Sequence, residues 1–179
     1  VREKATGKFM LRSVILVFTV FFLSFAAYGQ RAGGGTPDPA KQVREAFDRL
    51  IEGIRQVDAA KVMDAYEKSD RLLIFNNNGT ATIGWENVRN NVESSYAKIS
   101  NVTLEVTGVR VEMLGKNFAY VSCKWTQQQE NDGKPESAAG RMTLIYKLIG
   151  KEWKVTHRHT SPDRPDASRP VFPSERENQ

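Results

Sequence analysis

The chain has 179 residues, with 26 Lys and Arg against 21 Asp and Glu, a formal net charge of +5 and a single cysteine. That length holds one domain of ordinary size plus appendages, and one cysteine excludes an internal disulfide framework and a multi-cysteine metal site. Four basic residues (Arg2, Lys4, Lys8, Arg12) and one acid (Glu3) precede Gln30, so the remainder carries 22 basic and 20 acidic residues, a net of +2; a domain so balanced has no electrostatic footprint for nucleic acid, and it lacks zinc-finger, Walker and dinucleotide-loop spacings.

Residues 14–27 form a mostly apolar run behind Arg12, followed by the small-x-small triplet Ala27, Tyr28, Gly29. A positive start, a short apolar stretch and a small-residue site predict a secretory signal over residues 1–29, cleaved to leave Gln30 first, with Met10 as a possible true start. The alternative is an uncleaved N-terminal membrane anchor, but the run falls short of the ~20 apolar residues a spanning helix needs. The expectation is an exported protein, periplasmic or secreted, with no stable membrane insertion after cleavage. Residues 30–39 are Gly- and Pro-rich and predict a flexible lead-in.

Asp38 offers a helix cap, with Pro39 at the first helical position. Val43, Ala46, Phe47, Leu50, Ile51 and Ile54 then recur at three- and four-residue spacings, an amphipathic stripe of about four turns. Asp58 offers a second cap, and Ala59, Val62, Met63 and Tyr66 predict a shorter helix joined to the first as a hairpin. Residues 72–75 read as a short strand, 76–79 as a turn, and 80–83 as its returning arm. Gly84 and Trp85 open a third helix with Val88, Val92, Ser95, Tyr96 and Ile99 on one face.

The rest alternates as strands. Val102, Leu104 and Val106 share a parity that flips across Thr107 and Gly108 to Val109, Val111 and Met113, which predicts a β-bulge and a bend. Residues 118–129 place Ala119, Val121, Cys123 and Trp125 on one face and Phe118 and Tyr120 on the other; Cys123 there reads as a buried small hydrophobe. Residues 131–135 predict a loop, 138–148 a strand with Met142, Leu144, Tyr146 and Leu148 alternating, and 153–161 a last strand stopped by Pro162. Strict alternation puts Trp153, Val155, His157 and His159 on one face of it, with Arg158 and Thr160 on the other. Three helices and a meander make an α+β domain, its curled sheet covered by helices to leave a conical pocket. After Pro162 the tail, 162–179, is too poor in apolar residues to bury and is predicted to be disordered.

Residues 57–66, 84–89, 141–145 and above all 150–161, with their closing Trp-x-x-x-His-x-His-x-Ser, resemble the SnoaL-like branch of the nuclear transport factor 2-like superfamily, to which ketosteroid isomerases belong. The resemblance spans roughly residues 40–161 and implies a cone-shaped α+β fold and a homodimer through the open sheet face. It does not imply one activity, because the superfamily mixes isomerases, cyclases, dehydratases and oligomerisation modules.

The isomerase chemistry of that superfamily needs a buried carboxylate base. None is available here, since Glu105 and Glu112 lie opposite the apolar parity of their strands and Asp64 and Glu67 lie on the polar side of the second helix. What remains is a polar and aromatic set. His159 and His157 are the candidate general bases, because the imidazole is the side chain whose unperturbed pKa, about 6.5, lies near neutral pH; Tyr66, Trp85, Tyr120, Trp125 and Arg141 are the candidate ligand contacts. Two histidines two apart could share an ion, but no third ligand is visible, so neither metal nor cofactor is expected. The leading expectation is a binding module for a small, mostly apolar molecule. The rivals are an isomerase or dehydratase with a histidine base, and a dimerisation module with a vestigial pocket.

Overall fold

The structure, a computed structural model, describes residues 38–163; the predicted signal, most of the lead-in and most of the tail lie outside them. Helix α1 spans Pro39–Arg55 and α2 spans Ala59–Asp64. The caps fall where the sequence places them: the Asp38 carboxylate accepts from Ala40 N at 3.1 Å and that of Asp58 from Lys61 N at 3.0 Å. Between them the chain closes a Schellman turn, in which Asp58 N–H donates to Gly53 O at 3.0 Å, Val57 N–H to Ile54 O at 3.0 Å, and Val57 takes φ of 54°. A glycine is the usual residue at that left-handed position. Gly53 is needed for another reason: a Cβ there would stand 3.2 Å from Val62 Cγ2 and from Lys61 Cβ, so its bare backbone lets α2 approach.

Strands β1 (Leu73–Phe75) and β2 (Ala81–Ile83) form the predicted hairpin, and α3 spans Trp85–Tyr96. Four long strands follow: β3 (Ile99–Met113), β4 (Phe118–Asn131), β5 (Lys134–Ile149) and β6 (Glu152–Pro162). They make one curved six-stranded sheet in the order β2-β1-β6-β5-β4-β3. All pairs are antiparallel except β1 with β6, whose connection contains β2, α3 and the three strands β3 to β5. The second helix is shorter than its periodicity suggests. It stops at Asp64, and Tyr66 instead bridges to Val155 of β6. The predicted loop 131–135 is in fact a two-residue hairpin turn, because Asp132 and Gly133 take φ of 49° and 75°, matching the twist of the strands they join.

The core lies between α1, α2 and one face of the sheet. Val43, Phe47, Leu50 and Ile51 of α1 are buried against Ala119, Val121, Leu144, Tyr146 and Val155, and the Arg55 Nε–H ties the end of α1 to Leu104 O at 2.9 Å. Register shifts occur at three places, one of them between Ser100 and Thr103 of β3 and the other two at bulges that shape the site. The first of these bulges is the predicted one, where β3 slips its register between Thr107 and Arg110 and Gly108 takes φ of 61°. The second is in β6: Tyr146 pairs with Val155, but its neighbour Ile145 pairs with His157, so Thr156 is an extra residue on β6.

That second bulge overturns the single-face reading of the last strand. Trp153 and Val155 are buried against the core. Beyond Thr156 the parity reverses, so Arg158 opposes the fully buried Leu144 and Thr160 opposes the buried Met142. Directly opposed residues on paired strands share a face. Arg158 and Thr160 therefore point inward, and His157 and His159 point outward.

Candidate functional site

A cavity of about 550 Å³ opens between the inner face of the sheet, α3 and the β1–β2 hairpin. Its size is that of small-molecule sites generally. One stripe of α3 forms a wall, with Val88, Val92, Ser95 and Tyr96, the face the helical period marked out. Leu104 of β3 and Met142 of β5 supply an apolar floor.

The opposite wall continues the inward row of β4 outward from the core: after Ala119, Val121 and Cys123 come Trp125, Gln127 and Gln129. Trp125 has room because Gly140 stands directly across from it on β5. A Cβ on Gly140 would lie 3.0 Å from Cε2 and Cζ2 of the indole and would collide with Ser161 O. The Trp125 Nε1–H is buried without a hydrogen-bond partner among the described residues. The mouth is a preorganised polar turn. Asn76 N–H donates to Thr80 O at 2.9 Å, and the Asn76 side-chain amide donates to Thr80 Oγ1 and Thr82 Oγ1 at 3.1 Å each.

Among the described residues the cavity wall contains Arg158 and no Asp, Glu or His. The Arg158 Nη1–H donates to Tyr66 Oη at 2.8 Å, and its guanidinium carbon sits 5.9 Å from the centre of the Tyr66 ring. Tyr66 is itself buried, which fixes the arginine's orientation from behind. Burial pushes the Tyr96 hydroxyl well above its ordinary pKa, an effect the Tyr66 hydroxyl adds to and the Arg158 charge opposes. Tyr146, fully buried on β5, is pushed up by burial in the same way. These phenols stay protonated at neutral pH.

Of the seven residues singled out in the sequence, the structure brings only Tyr66 and Trp125 to this region. His157 and His159 flank Phe75 on the outer face, each ring meeting the phenyl edge-on at 5.6 Å. His157 Nδ1 lies 2.9 Å from Leu73 O, and a carbonyl only accepts, so that nitrogen carries a proton. Tyr120 opposes Glu112 and Ile145 on the outer face as well. Arg141 is exposed, its guanidinium donating to Asp163 O at 3.2 Å. Trp85 is on the wrong stripe of α3: with Arg89 and Glu93 it faces the groove beside α2, its Nε1–H pointing to Met63 O at 3.4 Å and its ring between Lys68 Nζ (5.1 Å) and Arg89 Cζ (5.4 Å). The residues missed are Arg158 and the amides of the mouth. Nothing in the sequence marks the extra residue that turns Arg158 inward.

Among the described residues no cluster of three or more His, Cys, Asp or Glu could hold a metal ion, and no helix is long and apolar enough to cross a membrane. Burial raises the Cys123 thiol to about 11, so it is a packed side chain and not a nucleophile at neutral pH.

Residues 43–165 match a family model described as a SnoaL-like domain. Comparison with the curated proteins finds no match. Among solved structures the chain is similar to a nuclear transport factor 2-like superfamily protein from Salmonella enterica serovar Typhimurium (17% identity, TM-score 0.65, covering 74% of this chain and 96% of that one). It is also similar to a ketosteroid isomerase-like protein from Erwinia carotovora atroseptica (15%, 0.62, 72% and 99%) and to a nuclear transport factor 2-like protein from Cytophaga hutchinsonii (16%, 0.60, 70% and 98%). At such identities the likeness is one of fold.

Proposed function

The chain belongs to the SnoaL-like domain family, and from that premise we propose that it is a binding protein that holds one small molecule in a conical pocket without covalent chemistry. The observation that carries this is the open cavity of about 550 Å³, whose floor is apolar and whose wall has no carboxylate and no imidazole among the described residues. Isomerisation or dehydration at neutral pH needs a group that takes a proton. The nearby phenols hold theirs, and the histidines face the other way. A dimerisation module with a vestigial pocket would fill the space with its own side chains, and here the space is open. In this reading Trp125 is a ligand contact, Tyr66 supports Arg158 from behind and does not line the cavity, and Arg158 takes the place expected for Arg141 as the charged group.

The test is a neutral fluorescent probe, N-phenyl-1-naphthylamine. The native protein should take it up saturably at one per chain, and Val92→Trp, which fills the cavity, should abolish uptake while keeping the native circular dichroism. Non-saturable uptake, or unchanged uptake by Val92→Trp, would overturn the reading.

Export and pairing of two chains belong to the same proposal. Export is supported by the apolar run and small-residue site before Gln30. Pairing is supported by the apolar side chains the outer surface exposes, Phe75, Phe118 and Ile149 among them. The protein recovered outside the cytoplasm should begin near residue 30 by intact mass and show twice its chain mass by light scattering. A retained Arg12 would refute export, and a single-chain mass at micromolar concentration would refute pairing.

A further inference from the structure

We propose that the ligand of this pocket is a monocarboxylate with an apolar body, and that Arg158 binds its carboxylate. The inference rests on the reading of the cavity as a ligand site and specifies what occupies it. Arg158 projects from the middle of the sheet, between Leu144 on β5 and Ile74 on β1, both buried. A charged group in such surroundings is costly unless an opposite charge meets it.

The other cations near the core have theirs: Lys147 Nζ lies 2.8 Å from Glu67, and Lys154 Nζ lies 3.2 Å from Asp64 and 3.0 Å from Glu152. Arg158 takes part in no ion pair among the described residues. Among the described residues its one hydrogen bond goes to a phenol, and its Nε–H is buried without a hydrogen-bond partner. The Tyr66 ring holds the guanidinium in a fixed orientation, and a planar fork of donors so held fits a carboxylate with two parallel hydrogen bonds.

The sign and number of charges narrow the class further. The cavity wall is otherwise neutral, so a cationic ligand would meet repulsion without compensation. One guanidinium neutralises one negative charge, so a phosphate dianion would keep a charge unpaired in the cavity. The apolar floor of Leu104, Met142, Val88 and Val92 takes the body, and Gln127 and Asn76 at the mouth can bond a polar tail.

The experiment is calorimetric titration with two matched pairs, octanoate against octanamide and 3-phenylpropanoate against 3-phenylpropanamide, at pH 7.5. Within each pair the acid should bind on the order of tenfold tighter or more, as a charge-assisted bidentate contact predicts. Arg158→Gln should bring acid and amide to within about threefold by weakening the acid alone. Arg158→Lys, which keeps the charge but not the fork, should retain part of the preference. Should Arg158→Gln not fold, the native protein still decides: raising NaCl should weaken octanoate and leave octanamide unchanged. Equal affinities for acid and amide in a protein that takes up N-phenyl-1-naphthylamine would sink the carboxylate assignment and leave the pocket standing. If neither the naphthylamine nor any of the four compounds binds, the pocket reading fails and this one with it.

Discussion

At Val57 a β-branched residue occupies a left-handed position that the Schellman turn demands. The conformation costs an L-residue about 1–2 kcal/mol, of which glycine's looser unfolded chain would return only part. Val57→Gly should therefore raise stability by about 0.5–1 kcal/mol, read as a higher urea midpoint with an unchanged slope. A lower midpoint would mean that packing of the isopropyl group outweighs the strain. Arg158 illustrates the opposite case, a residue whose environment leaves its charge unmet. Among the described residues the Tyr66 hydroxyl alone partners it, and the cost of that arrangement is what the proposed anion would relieve.

At the scale of elements, the pocket is set by how β4, β5 and β6 pair. Trp125 reaches the cavity because Gly140 yields the space beside it, and Ser161 O crosses close over the same glycine. Both neighbours are constrained, one a packed indole and the other backbone. Gly140→Ala should cost about 1–3 kcal/mol by overpacking and should shift the Trp125 fluorescence in the folded state. A fully stable Gly140→Ala with native emission would show that β5 and β6 separate there without penalty. The two bulges act at this scale too. That at Gly108 bends β3, and that at Thr156 decides which side chains of β6 enter the cavity.

For the whole molecule, stability should depend on acid through the link between the α2–β1 connection and the sheet. The Lys147 ammonium bonds Glu67 and holds its carboxyl below the usual glutamate range, against the opposing effect of burial and with help from Thr156. The folded value lies below the unfolded one. The contribution is therefore complete above the unfolded value and is lost as pH falls through the folded value. Glu67→Gln should lose about 0.5–1 kcal/mol at pH 7 and show a shallower decline in urea midpoint between neutral and acidic pH. Parallel declines in both proteins would assign the acid sensitivity elsewhere.

The sequence by itself determined the α+β class, the caps at Asp38 and Asp58, the buried stripe of α1, the shared face of Val88, Val92, Ser95 and Tyr96 on α3 and the bulge at Gly108, while Ile99, expected on that helix, begins β3. These are local matters: periodicity and capping are written in consecutive residues, and a glycine marks the backbone that needs positive φ. Only the tertiary structure decided the faces of β6. The bulge at Thr156 carries no glycine, and it shows only in how β6 pairs with β5. One extra residue reverses every side chain beyond it. The site thus passed from the two histidines, which any reading of a regular strand would choose, to the arginine between them.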